Sequence, residues 1–344
     1  MCLYVGNRVA LVAKKDITVY KYLNKNGDSY TTACRETPIN LNEVLKPDTE
    51  TENPQRECYN KYCIDGGAIH ACLTTIDSGF NCYCVKAIIK AGTTYYVQDD
   101  FMQVAAKELF ITDEEVTDNV TTPDMKSICE DYMNAVLQDD KYINKDGVHI
   151  GDFCLSNKSY VSPLTAFDHD DAIGIVAYFD DNDNPVVLAL NEEYLPWLTQ
   201  YSMKNKVCSD ISGSNTIKDF NGKKHTYDIA TSKDYDPEKF KAVDYCTKYK
   251  TKGTKEGDWY LGAIGECIKV AQNMGILNAS MLYAECGETI KLNWMWSSSE
   301  VTWGGGSVAW DCYLGDGDCS YYCDYRGDED EVRPFSAFIN GAKA

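Results

Sequence analysis

The sequence predicts an α+β protein: a β-rich N-terminal module, then a C-terminal domain in which two helices pack on a small antiparallel sheet. Three observations predict it. Residues 1 to about 115 carry short β-branched and aromatic runs between Gly- and Asn-containing turns, a composition that suits half-buried strands. Residues 172–190, "AIGIVAYFDDNDNPVVLAL", read as strand, Asp/Asn turn and strand, a strong hairpin signal. Two helical stripes follow, and after about 288 the pattern is strands and turns; helices followed by a compact antiparallel sheet define the class.

Each element has its own justification. "ITVYKYL" at 17–23, "VKAIIK" at 85–90 and "TTYYVQ" at 93–98 are strands, the last two joined by a turn at Ala91-Gly92. Residues 113–126 are acidic and polar with a proline, which suits a linker or a surface excursion. In "PDMKSICEDYMNAVLQ", Met125, Ile128, Tyr132, Met133 and Val136 fall at helical spacing. In "DPEKFKAVDYCTKY", Asp236 is placed as N-cap and Pro237 at the first helical position. Phe240, Val243 and Cys246 form the buried stripe of that helix, near 237–250, with Tyr249 a further candidate. "DWYL" reads as a strand, and a second helix near 263–274 turns Ile264, Ile268 and Ala271 inward. "NASMLYAECG" adds a short helical segment, where Gly287 can take the left-handed cap. The resulting division is 1–115 as a β-rich attachment module, 116–146 as a linker with a helix, and 147–344 as the C-terminal domain.

Length and charge narrow the function. A chain of 344 residues suggests about two domains. Its net charge of −20 repels nucleic acid and anionic lipid, so neither a DNA or RNA partner nor membrane insertion is expected. No run approaches the length of a membrane span, and "MCLYVGNRVALVAKKD" lacks the basic and apolar regions of a secretory signal. Sixteen cysteines are present. Cys58, Cys63, His70, Cys72, Cys82 and Cys84 lie close together, but their spacings are CxxxxC, HxC and CxC. Paired CxxC knuckles are what zinc would favour; buried free thiols are the expectation, with no metal and no cofactor.

No catalytic motif stands out. GxSxG, HExxH, a Walker loop and GxGxxG after a strand are all missing. The four histidines, His70, His149, His169 and His225, are scattered. "DDNDN" lacks the Gly and distal Glu of a calcium loop and reads as a solvated turn. "RGD" at 326–328 matches a cell-adhesion tripeptide, for which chance is the better explanation. The distinctive stretch is "WDCYLGDGDCSYYCDYRGD" at 310–328: between Trp310 and Arg326 only Asp, Cys, Tyr, Leu, Gly and Ser occur. Tyr offers a large amphipathic contact area with few rotatable bonds, and Ser, Gly and Asp offer adaptable polar contacts, as in antibody loops. The stretch is composed like a paratope. The competing reading is a Tyr-rich edge hairpin with no partner.

"GDWYL" at 257–261, "WSSSE" at 296–300, "AW" at 309–310 and "VRPFSAF" at 332–338 fall in one order, with "AIGIVAYF", "SGSNTI" and "AVDYC" upstream. This series resembles the C-type-lectin-fold variable proteins of diversity-generating retroelements. That fold is shared with phage tail-fibre receptor-binding tips and the formylglycine-generating enzyme group. The resemblance spans roughly 147–344. It departs where Gly262-Ala263 replaces the family's Pro-Ser turn.

The resemblance implies a C-type-lectin-like domain whose segment between "WSSSE" and "VRP" is diversified and contacts ligand. In that family, mutagenesis at adenines leaves codons unable to encode Lys, Glu, Gln, Met or Trp. Residues 311–325 contain none of these, although together they make up about a quarter of ordinary protein. Alternation places Asp311 and Tyr313 outward with Cys312 and Leu314 inward, a turn at Gly315-Asp316-Gly317, and Asp318, Ser320 and Tyr322 outward beyond it. Tyr321, Asp324 and Tyr325 can fall on either side. Trp303, Gly304, Gly305 and Ser307 extend the ligand-binding surface. Trp259, Trp296, Glu300, Trp310 and Arg333 read as scaffold, with Arg333 pairing to a carboxylate or to backbone carbonyls.

The expected function is therefore not enzymatic. It is a hypervariable receptor-binding protein or adhesin, a phage tail-fibre tip in the virion or a bacterial surface protein. Its partners would be a host cell-surface protein or glycan, other tail proteins through the N-terminal module, and further copies of itself as a trimer. Two alternatives remain: a structural virion assembly protein, and an enzyme of the formylglycine-generating type, for which Cys312, Cys319 and Cys323 give no recognisable reactive pair.

Overall fold

A computed structural model describes residues 3–4, 9–27, 29–32, 38–46, 63–64, 68–75, 83–199, 217–301, 308–315 and 321–338. It divides into two compact units, Met1–Val136 and Leu137–Ala344. The first is built on a ten-stranded sheet. Its long central strand, Ile17–Asn26, pairs antiparallel with Tyr83–Ile89 along seven residues, and Tyr83–Ile89 pairs in turn with Leu109–Glu115. Ile17, Val19 and Leu23 alternate inward along that strand, the period expected of a sheet with one covered face. Helix α1 (Met125–Val136) buries Ile128, Cys129, Tyr132, Met133 and Val136, and Phe101 meets Tyr132 edge-on at 5.4 Å.

In the second unit, β1 (Phe153–Leu155), β2 (Tyr160–Val161), β3 (Ala172–Phe179) and β4 (Pro185–Ala189) open a six-stranded antiparallel sheet. The β3–β4 hairpin turns through the Asp/Asn run. The Asp180 carboxylate accepts hydrogen bonds from the Asn182 and Asn184 amides at 2.8 and 2.9 Å, and Asp183 takes φ 66°. Strand β5 (Glu193–Pro196) begins a second sheet. Then come α2 (Gly222–Ala230), α3 (Lys241–Lys248), β6 (Tyr260–Leu261), α4 (Ile264–Ala284), β7 (Trp294–Glu300), β8 (Val308–Tyr313), β9 (Tyr321–Tyr325), β10 (Glu329–Val332) and β11 (Pro334–Ser336). The six-stranded order is β2-β1-β3-β4-β11-β6 and the five-stranded order is β5-β10-β7-β8-β9. Helix α4 contacts β3 of one sheet and β7 and β8 of the other. It is apolar almost all round, as a helix covered on two sides must be.

The expected α+β domain of two helices on one small antiparallel sheet, and the C-type-lectin-like assignment with it, is overturned. The described residues hold twenty-three strands and four α-helices, a predominantly β protein. The second unit alone contains two sheets and three helices, and β7 and β10 run parallel, with Met295 opposite Glu331. Helix α2 escaped the sequence reading because its buried positions, Gly222, His225, Thr226 and Ile229, have helical spacing but little apolar character. The helix expected near 237–250 starts at Lys241. Asp236 caps a turn instead, its carbonyl accepting from Lys239 and Phe240 at 2.8 and 2.9 Å. The two helical segments expected from 263 onward are one helix, ended by Glu285 in the left-handed region at φ 54°.

Candidate functional site

The candidate surface lies on β7, β8, β9 and β10. Register decides which side chains share a face, because residues directly opposite one another in a sheet point the same way. Asp311 on β8 stands opposite Trp296 on β7 and Tyr322 on β9. Tyr313 stands opposite Trp294, with ring centroids 5.1 Å apart. On β9, Asp324 follows Tyr322 by two residues. On β10, Glu331 is opposite Met295, so Asp330 shares the face of Trp294 and Trp296. One face therefore carries Asp311, Asp324 and Asp330 among Trp294, Tyr313 and Tyr322. The other turns Met295 and Cys312 toward α4.

Within that face the carboxylates are under electrostatic stress. Asp311 is 1% exposed, and neither of its carboxylate oxygens has a hydrogen-bond partner of normal geometry. Burial, then repulsion from Asp330 and Asp324, pushes its pKa up to about 8, weakly opposed by its own amide and that of Tyr322. Asp330 is pushed up to about 7 by burial and by Asp324 and Asp328, and its Oδ2 has no partner. Asp328 is raised in the same direction by burial and Asp324. The charges acting on Asp311 and Asp330 are all carboxylates.

The two neighbouring arginines are already engaged. Arg326, fully buried, donates from Nη2 to Glu300 Oε1 at 2.8 Å and from Nε to the Val308 carbonyl at 3.0 Å. Its guanidinium lies 4.3 Å from the centre of the Trp197 ring. Arg333 donates from Nε to Glu331 at 3.1 Å, from Nη1 to the Glu288 carbonyl at 2.9 Å, and from Nη2 to Glu192.

Of the residues chosen from sequence, Trp303, Gly304, Gly305, Ser307, Asp316, Asp318 and Ser320 lie outside the described residues, as do Cys58, Cys82 and Cys319. Tyr321 has a described backbone in β9 only. Tyr322 and Tyr325 stand 64% and 57% exposed on β9, at the sheet edge, while Tyr313 and Asp324 are half-buried. Asp311, expected to point to solvent, is instead enclosed on a face that it shares with the buried Trp296 and Ala309. Trp296 is buried with Phe240 and Val243 and donates to the Leu195 carbonyl at 3.1 Å. Trp259 packs edge-on against Tyr249 at 5.2 Å, and Trp310 is buried.

Sequence reasoning missed Arg326, whose "RGD" context drew attention to a tripeptide that the buried guanidinium does not present. It also missed Glu266, whose position three residues after Ala263 was the available signal. Glu266 Oε1 accepts from the hydroxyls of Tyr178 and Tyr260 at 2.7 and 2.8 Å, and Oε2 from the amides of Ala263 and Gly222 at 2.7 and 3.1 Å. These four donors leave it no capacity for a ligand. Among the described residues no three His, Cys, Asp or Glu side chains are placed to hold a metal ion. The described thiols with resolved shifts are raised by burial, Cys154 up to about 12 and Cys246 and Cys267 well up, which disfavours the nucleophilic thiolate.

No family model matches the chain, and no curated protein does. Among solved structures it is similar to a fimbrial protein from Bacteroides ovatus, with 13% identity and a TM-score of 0.44. The match covers 93% of this chain and 64% of that one, so this chain spans less than two thirds of that protein's length.

Proposed function

We propose that the protein is a surface-displayed ligand-binding protein, a bacterial adhesin or a phage tail-fibre tip, and that residues 303–325 are its diversified contact region. One observation carries the reading. Residues 311–325, written only in Asp, Cys, Tyr, Leu, Gly and Ser, hold large aromatic side chains in solvent at a sheet edge, with Tyr322 64% and Tyr325 57% exposed. Folding gains little from either ring in that position, whereas interfaces are enriched in Tyr as anchors. In this reading the first unit attaches the protein to its particle or cell, the second meets a host-surface target, and no catalytic step is involved.

The test is the double variant Tyr322→Ala with Tyr325→Ala. Its Tm should stay within about 2 °C of the parent, since exposed side chains change stability little. Attachment of the labelled protein to intact host cells should fall at least about tenfold, because anchor residues carry most interface energy. Undiminished attachment would remove this function from the β9 edge. Diversification has its own check: sequencing the encoding segment across isolates should show variation concentrated in codons 303–325.

A further inference from the structure

We propose that the face formed by Asp311, Asp324 and Asp330 receives an arginine side chain of a protein partner, held between these carboxylates and the aromatic rings of Tyr322, Tyr313 and Trp294. The inference rests on the reading of this face as a binding face and names the chemistry it recognises. An acidic cluster alone would not suffice. Here Asp311 adds a nearly fully buried carboxylate whose oxygens hold no hydrogen bond of normal geometry, only the weak pull of its own amide and that of Tyr322, on the same sheet face as Asp324 and Asp330. A buried polar group without a partner is costly, and a cation supplied from outside would relieve both that cost and the repulsion among the carboxylates. Arg326 and Arg333 cannot supply it, since Arg326 is committed to Glu300 and Arg333 to Glu192 and Glu331.

The kind of cation follows from the walls. The described carboxylates are not placed as a metal site. A guanidinium is planar, donates in a fork to two carboxylates at once, and stacks on aromatic faces, whereas an ammonium is a compact, strongly hydrated charge. Two carboxylates on one face beside aromatic rings fit the guanidinium.

Binding must also move protons. Asp311 is faced by Tyr322 and Asp324 from β9, by Asp330 from β10 and by the uncharged Trp296 from β7, while Cys323, opposite Trp310 and so turned to the other face, interacts with it only electrostatically. With its pKa near 8, Asp311 holds a proton over much of the neutral range. An arriving cation favours its ionised form and releases that proton. Affinity should therefore rise as pH rises from about 6 to 8, a dependence that a purely structural carboxylate would not produce.

The experiment is calorimetry of the full-length protein with acetyl-Tyr-Arg-Tyr-amide and its citrulline counterpart, which has nearly the same shape without the charge. The arginine peptide should bind at least about tenfold tighter, the size of one charge-assisted hydrogen bond. Its binding heat should depend on buffer ionisation in the sense of proton release. Asp311→Asn should abolish the difference between the peptides. Asp330→Asn, at a half-buried position, should weaken it if the first variant folds poorly. Equal binding of the two peptides overturns the inference even where Tyr322→Ala abolishes cell attachment, an outcome that leaves the binding-face reading standing. Unchanged arginine binding in both Asp variants overturns it, and so does calcium chloride alone excluding the peptide.

Discussion

Two buried carboxyls in the five-stranded sheet, Glu300 and Asp311, have opposite fates. Glu300 and Arg326 neutralise each other at 2.8 Å, and Arg326 also meets a carbonyl and the Trp197 ring. The charged groups acting on Asp311 are carboxylates, Asp330 and Asp324, opposed only weakly by its own amide and that of Tyr322. Breaking a buried pair leaves an uncompensated charge, so Glu300→Ala should destabilise the second unit by about 3–5 kcal/mol. Adding Arg326→Met should recover part of that loss, because the stranded charge is gone. Denaturant unfolding of both variants checks this; a double variant less stable than Glu300→Ala would place Arg326's main contribution in its contacts with Val308 and Trp197. These fates were only half legible in the sequence. Alternation identified the face on which Asp311 lies, but alternation carries no information about depth. Asp311 sits between β7 and β9, opposite Trp296 and Tyr322, and its depth there is set by side-chain packing that a two-residue period does not encode.

At the scale of elements, one side chain organises the start of α4. Glu266 ties the α2 and α4 N-termini to β3 and β6 through two amides and two hydroxyls. Gly222 is obligatory beside it, since a Cβ there would lie 2.1 Å from Glu266 Oε2 and 2.5 Å from the Ala263 nitrogen. The donors differ in adaptability. Backbone amides cannot turn, whereas tyrosine hydroxyls rotate to accept as well as donate. Glu266→Gln can point its oxygen at the amides and its NH2 at the tyrosines, and should cost less than about 1 kcal/mol; Glu266→Ala strands all four donors and should cost about 3 kcal/mol. Equal losses in thermal unfolding would show that packing, not hydrogen bonding, fixes this corner. Legibility followed chemistry here too. The β3–β4 hairpin announced itself through its Asp/Asn turn, while α2, with His225 and Thr226 on its buried side, had no apolar stripe to betray it. The "WSSSE" end of β7 is buried despite its polarity: Ser297 donates to the Trp310 carbonyl at 2.7 Å, and Ser299 donates to Asp219 at 2.5 Å while accepting from the Ile264 amide.

For the whole molecule, the raised carboxyls make stability depend on pH in a definite direction. Asp311 near 8, Asp330 and Glu266 near 7, and Glu331, also raised, all exceed the unfolded carboxyl range around 4. The folded state therefore binds more protons than the unfolded state between about pH 4 and 8. The stability tied to these protons is full below the unfolded value and is lost as pH climbs toward 8. Groups held below their ordinary values act in the opposite direction on the acid side. His225 is lowered by burial, so what it contributes is lost as pH falls through its folded value. Glu192 is lowered by Arg333 against the pull of burial and Asp180 by its turn amides, so both lose stability only in stronger acid. Tm should consequently peak near pH 5 and decline by several degrees at pH 8, at about 2–4 °C per kcal/mol for a unit of this size. Asp311→Asn removes one titrating group and the repulsion it causes. The variant should melt above the parent at pH 8, match it near pH 4, and show a shallower slope between. Thermal melts of both proteins across that range decide the matter: parallel profiles would mean that Asp311 is already ionised and compensated in the folded protein, and the stressed acidic face would have to be abandoned.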